Sequence, residues 1–164
     1  MYTPENETYY LDKDFEGNKF KAGTLFIDTD SKVATPNYNV IIYGHNMANQ
    51  TMFGSLKKYA NKNYYNAHPT ITFNTLYEEA TYEVYAAFYA KILKVSDNSF
   101  KYYKSTFFSS PSSIEDFVKN VDKVKQYTTR AEKPKYNDQL ITLSTCSYHT
   151  KNGRFVVVAR KIDK

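Results

Sequence analysis

One cysteine, Cys146, and three histidines, His45, His68 and His149, are the residues of this 164-residue chain best equipped for nucleophilic chemistry. A thiolate attacks carbonyl carbon far better than a thiol, so a reactive cysteine needs a base or cation to take or hold its proton. His68 precedes Pro69 in a polar stretch and reads as a surface residue, and His149 lies in a loop three positions after the cysteine. His45 leaves a buried apolar run at Tyr43-Gly44-His45-Asn46, where glycine permits a tight exit and sets the side chain at a sheet rim. On spacing alone such a rim histidine is more often structural than basic. Free cysteine also usually just packs. Here, however, Thr142-Leu-Ser-Thr-Cys146 alternates, so Thr142, Ser144 and Cys146 share a face, and a hydroxyl row beside a thiol is an odd apolar core. Arg154 follows eight residues later, and hairpin pairing sets its guanidinium beside the thiol, where a permanent charge with several donors suits an oxyanion. The plain alternative for Arg154 is a surface ion pair.

The elements that must position these residues read mainly as strands. Thr24 to Asp28 follows Gly23 as a short strand, and Asn39 to Tyr43 is a buried one ending at Gly44. Met52, Leu56 and Tyr59 recur at helical spacing between Thr51 and Tyr59, and Thr70 to Asn74 is again extended. The aromatic, β-branched load of Thr81 to Val95 predicts a long bent strand, with a helix as the competing reading. Ser112-x-x-Glu115 has the form of a capping box, and Ile114, Phe117, Val118, Val121 and Val124 predict a helix from Ser112 to Tyr127. Two closing strands, Gln139 to Thr145 and Arg154 to Ile162, flank the turn signal Asn152-Gly153.

Composition narrows the function classes. The chain has 17 Tyr and 11 Phe with no Trp, a load that favours strands. One cysteine forbids an intramolecular disulfide and leaves the paired Cys or Cys/His spacings of zinc sites without candidates. The net charge of +5 is scattered, with Lys57-Lys58 and Arg160-Lys161 the adjacent basic pairs, which is weaker than the clustered patch of a nucleic-acid binder. The longest apolar stretch, Val84 to Ala90, falls far short of the roughly 20 residues that cross a bilayer. No repeat or linker divides the chain, so one domain spanning 1–164 is expected.

Three stretches carry a resemblance. Asn39-Val-Ile-Ile-Tyr-Gly-His-Asn-Met47, Leu140-Ile-Thr-Leu-Ser-Thr-Cys146 and Gly153-Arg-Phe-Val-Val-Val-Ala-Arg160 resemble the His, Cys and Arg motifs of the sortases. Thr-Leu-x-Thr-Cys is highly specific for that family. The Tyr-Gly-His-Asn-Met form, Thr51-Met-Phe53 after it, and a helix inserted ahead of the cysteine strand are similar to class B, over almost the whole chain.

The resemblance implies a mainly β, mixed barrel of about seven strands with a long helix before the cysteine strand. It implies a cysteine transpeptidase that needs no metal or organic cofactor. Cys146 is then the nucleophile, His45 the general acid/base and Arg154 the group that steadies the oxyanion, with Arg160 as fallback and Arg130 beyond the helix. Ser144 and Thr145, and more remotely Tyr127 and Thr128, are expected to line the substrate groove. The implied partners are secreted proteins bearing an Asn-Pro-x-Thr-like C-terminal signal, and an amine of the peptidoglycan cross-bridge or its lipid-linked precursor, with no nucleic acid. The implied place of action is the outer face of the cytoplasmic membrane or the cell wall of a Gram-positive bacterium. Two departures are visible. By that resemblance this sequence is expected to lack the N-terminal helices, first strand and membrane anchor of class B relatives, with Met1 to Pro4 read as the tail of that strand. The exposed barrel edge predicts self-association or impaired activity unless it is covered. The position after the cysteine, often acidic in relatives, is Ser147. The rival readings are a cysteine hydrolase that releases its acyl group to water and a non-catalytic wall-binding barrel.

Overall fold

Strands buried on both faces dominate the molecule. In this computed structural model, which describes residue 6 and residues 8–162, the strands are β1 (Phe26–Ile27), β2 (Asn39–Gly44), β3 (Thr70–Thr72), β4 (Thr81–Lys91), β5 (Leu140–Cys146) and β6 (Gly153–Ile162). They form one curled sheet in the order β1-β2-β5-β6-β4-β3. Among the described residues the strands therefore number six, against about seven expected, and Met1 to Pro4 lie outside those residues. The sheet is mixed because β2 and β5 run parallel while every other pair is antiparallel.

Both faces of the central strands are covered, so β5 is buried from Leu140 to Thr145 and β6 from Phe155 to Ala159. On one face Val40, Ile42, Ile141, Leu143, Phe155 and Val157 pack with Tyr59 and with Tyr65 of the short helix α1 (Lys62–Ala67). On the other, Leu140, Val156, Val158, Tyr85 and Phe88 meet Ile114, Phe117, Val118 and Val121 of α2 (Pro111–Val124). Those four recur at three- and four-residue spacing and are almost fully buried.

The boundaries of α2 differ from the expected ones at both ends. Ser110, not Ser112, is the N-cap: its hydroxyl accepts from the Ser113 amide at 3.3 Å, and the Ser110 amide donates to the Ser113 hydroxyl at 3.2 Å. Pro111 then occupies the first helical position, where its missing N–H costs nothing. The helix stops at Val124 because the chain turns onto the sheet, with the Gln126 amide donating to the Ala87 carbonyl at 2.9 Å.

β4 is a strand as expected, bent by an irregularity at Val84/Ala86, and it pairs along its length with β6. It ends at Lys91, short of Val95. The helix expected over Thr51 to Tyr59 begins only at Leu56, as a 3-10 turn, because Gln50 and Met52 adopt left-handed backbone with φ of 64° and 52°. Both sheet edges, β1 and β3, are only two and three residues long.

Candidate active site

The parallel pairing of β2 with β5 ends at Gly44↔Thr145, and the residues that follow that last pair are His45 and Cys146. On the other flank of β5, antiparallel pairing sets Cys146 against Arg154. Three strand ends thus deliver a histidine, a cysteine and an arginine in one row at one rim. Along β5, Thr142, Ser144 and Cys146 alternate onto one face, which Arg154 shares as the cross-strand partner of Cys146, and the Thr142 hydroxyl donates to the Asn39 side-chain oxygen of β2 at 2.8 Å.

This rim opens into a cleft of about 420 Å³ lined by Thr8, Leu11, Phe26, Tyr43, Gly44, His45, Ile92, Tyr103, Lys104, Ser144, Thr145, Cys146 and Arg154. Cys146 is partly exposed, unlike the buried Thr145 and Ser147 on either side of it, so the only thiol of the chain is accessible, as are His45 and Arg154. His45 Nε2 is 2.5 Å from the Leu11 carbonyl oxygen. A carbonyl can only accept, so Nε2 carries a proton and Nδ1 is the nitrogen free to exchange one. Arg154 spends one guanidinium nitrogen on the Gly153 carbonyl at 2.9 Å and keeps its other donors for the cleft.

Beneath the row, the Tyr102 hydroxyl and Ser144 Oγ are 2.8 Å apart, and both residues are buried. Burial pushes the Tyr102 phenol up to about 12, against the pull of the Ser144 hydrogen bond and the Arg154 charge. The phenol therefore stays neutral and uncharged beside the thiol and the guanidinium.

The other candidates from the sequence are placed elsewhere. Tyr127 and Thr128 do not line the cleft: the chain leaves α2 toward the opposite face, where the Tyr127 hydroxyl donates to the Tyr59 carbonyl at 2.6 Å and its ring lies against Tyr65. Arg160 sits at the far end of β6, paired with Glu132 at 3.4 Å and near Asp138 at 3.8 Å. His68 stacks on Tyr64 at the end of α1. His149 is exposed, with Nδ1 3.0 Å from the Ser147 hydroxyl, and Arg130 is likewise exposed. Leu11, Ile92, Tyr102 and Tyr103 were not legible as site residues, because nothing in their local spacing marks a contact made dozens of residues away. Asn46 lies inside the His45 motif, where its residue type gives no sign of the strand it reaches.

A family model for the sortase domain matches residues 6–162. The chain belongs to the sortase family. Its relatives place it in class B: it is 30% identical over 162 residues to the sortase B of Listeria monocytogenes and 30% identical over 155 residues to that of Staphylococcus aureus. The alignments cover 98% and 93% of this chain, and 63% and 60% of those relatives. The chain thus spans a little under two thirds of their length. Among solved structures, the sortase B of Clostridium perfringens superimposes with a TM-score of 0.83 at 30% identity, covering 97% of this chain and 84% of that one. The S. aureus sortase B–substrate complex gives 0.83 at 27% identity, covering 99% and 72%. The class B sortase fold of this chain is therefore the mixed sheet described above, with α2 ahead of the cysteine strand.

Proposed function

We propose that this class B sortase is a cysteine transpeptidase, and that the row His45–Cys146–Arg154 is its catalytic centre. The observation that supports this most is the double register at the rim, Gly44↔Thr145 and Cys146↔Arg154, which aligns three distant motifs on one cleft. The Cys146 thiolate attacks the carbonyl carbon of the threonine in an Asn-Pro-x-Thr-like sorting signal, forming a C–S bond and an oxyanion that faces the Arg154 guanidinium. The C–N bond then breaks, and His45 gives its proton to the departing amine, leaving a thioester on Cys146. An amine of a peptidoglycan cross-bridge or its lipid-linked precursor attacks that thioester. His45 takes the amine's proton, and the Cys146 thiolate leaves. Neither half-reaction calls for a metal or organic cofactor.

Ser144, Thr145, Leu11 and Tyr103 line the cleft that would receive this peptide. The cargo is then a secreted protein, and the place of action the cell surface, outside the cytoplasmic membrane. Among the described residues no helix is long and apolar enough to cross a membrane.

The test is a quenched Asn-Pro-x-Thr peptide offered to the protein and to Cys146→Ala, with and without a glycine oligomer or a diaminopimelate amine. Cys146-dependent cleavage with a ligated amine product is expected. Cleavage that yields only the free acid in the presence of amine means a hydrolase. Equal signal from protein and variant means a non-catalytic binding barrel.

A further inference from the structure

The parallel ladder between β2 and β5 stops at Gly44↔Thr145, because the chain after Gly44 turns away into the loop 45–54. Two side chains continue the seam where the ladder ends. Thr145 Oγ1 donates to the Gly44 carbonyl at 2.8 Å, and Asn46 Nδ2 donates to the Cys146 carbonyl at 3.0 Å. One bond ends on the residue before His45, and the other starts from the residue after it. The histidine is bracketed, and both bonds run to the last two residues of the cysteine strand. The loop is itself held in a demanding shape: Asn46 bridges to Met52, the Phe53 amide donates to the His45 carbonyl at 3.0 Å, and Met52 and Gln50 carry left-handed φ without being glycine. Left-handed backbone at such residues persists only where surrounding contacts enforce it.

We propose that Asn46 is a positioning residue: its amide, acting through the Cys146 backbone, sets the thiol and the His45 imidazole in register beyond the end of the sheet. This rests on the sortase reading for the identity of the reacting groups. Without the Asn46 donor, the Cys146 carbonyl loses its bond to the β2 side, and the 45–54 loop loses its tie to the nucleophile strand. The single bond left, from Thr145 to Gly44, fixes the strand end but not the segment beyond His45. Thiol and imidazole are then held by separate pieces of chain, and misplacements of about 1 Å at a reacting pair cost on the order of 100-fold in rate.

The test uses Asn46→Ala and the isosteric Asn46→Asp, which keeps the side chain's shape but cannot donate to a carbonyl. Two quantities are read: kcat and KM on the quenched peptide, and the pH profile of alkylation by iodoacetamide, for which Cys146 is the only thiol in the chain. Both variants are expected to melt as cooperatively as the parent, to lose about 10- to 100-fold in kcat with KM within about twofold, and to show an altered alkylation profile. A parent-like alkylation profile and kcat in folded Asn46→Asp would overturn the proposal, as would a uniform rise in KM with kcat intact. The alkylation profile needs no turnover, so it judges the clamp even if the parent fails to cleave the peptide. That failure, alone, counts against the sortase reading.

Discussion

Replacing Gly23 by alanine is expected to reach the active site through the backbone of the N-terminal segment. Gly23 has φ +60°, and a Cβ built there would lie 2.4 Å from the Leu11 carbonyl oxygen and 2.8 Å from that of Tyr10. Left-handed backbone costs an L-residue about 1–2 kcal/mol. The clash adds a displacement, because carbon and carbonyl oxygen do not approach closer than about 3.3 Å, so Leu11 must give by roughly 0.9 Å. That oxygen already sits 2.5 Å from His45 Nε2 and cannot move closer. It moves off the ring, and the hydrogen bond stretches toward about 3.4 Å, where little of it remains. Loss of a bond worth about 0.5–1.5 kcal/mol frees the imidazole and lowers kcat by about 2- to 10-fold.

Gly17→Ala serves as the comparator. It has φ +89° but faces only the end of the Tyr9 side chain, so it carries backbone strain without touching Leu11. Both variants are assayed for peptide cleavage and thermal melting. Each is expected to melt lower by about 2–8 °C, and Gly23→Ala alone to lose kcat. Equal kcat in the two variants would refute the idea that the Leu11 carbonyl orients His45.

Three further outcomes follow from contacts around the site and the helix. Tyr102→Phe strips the buried Ser144 hydroxyl of its partner, at a cost of about 1–3 kcal/mol, whereas Tyr102→Phe/Ser144→Ala, which removes both, recovers part of that loss in chemical denaturation. Arg154→Lys keeps the charge but not the planar fork of donors, and is expected to lower kcat by about 100-fold or more with little change in melting temperature. Asp122 is the third: burial raises its carboxyl, but hydrogen bonds from Lys125, Lys133 and Tyr85 outweigh that and hold it well below the usual carboxylate range. A depressed native value means stability that is full above the unfolded value near 3.8 and is lost as pH falls below it. Thermal melts between pH 5 and 3 should therefore fall less steeply for Asp122→Asn than for the parent; identical slopes would contradict the assignment.

The chain determined much of this locally. Alternation in β5 and the apolar run of β2 fix which side chains face which way, because a strand's period is two whatever surrounds it. The 3.6-residue stripe of α2 is legible for the same reason, although its cap lies two residues ahead of the Ser112 box, since Ser110, Ser112 and Ser113 all offer hydroxyls and only Pro111 at the first helical position separates them. The Cys146 and His45 motifs and the Asn152-Gly153 turn are likewise local features, and Arg154 lies within hairpin reach of the thiol. Tertiary structure alone decided that β2 and β5 run parallel and side by side, which brings the His45 and Cys146 motifs to one cleft across a hundred residues of chain. It also decided that the Leu11 carbonyl, Tyr102 and Asn46 converge on that row, while Tyr127 turns to the opposite face. Those contacts are made by carbonyls, phenols and amides common throughout the sequence. Nothing about a residue type says which distant partner it will meet until the sheet order brings them together.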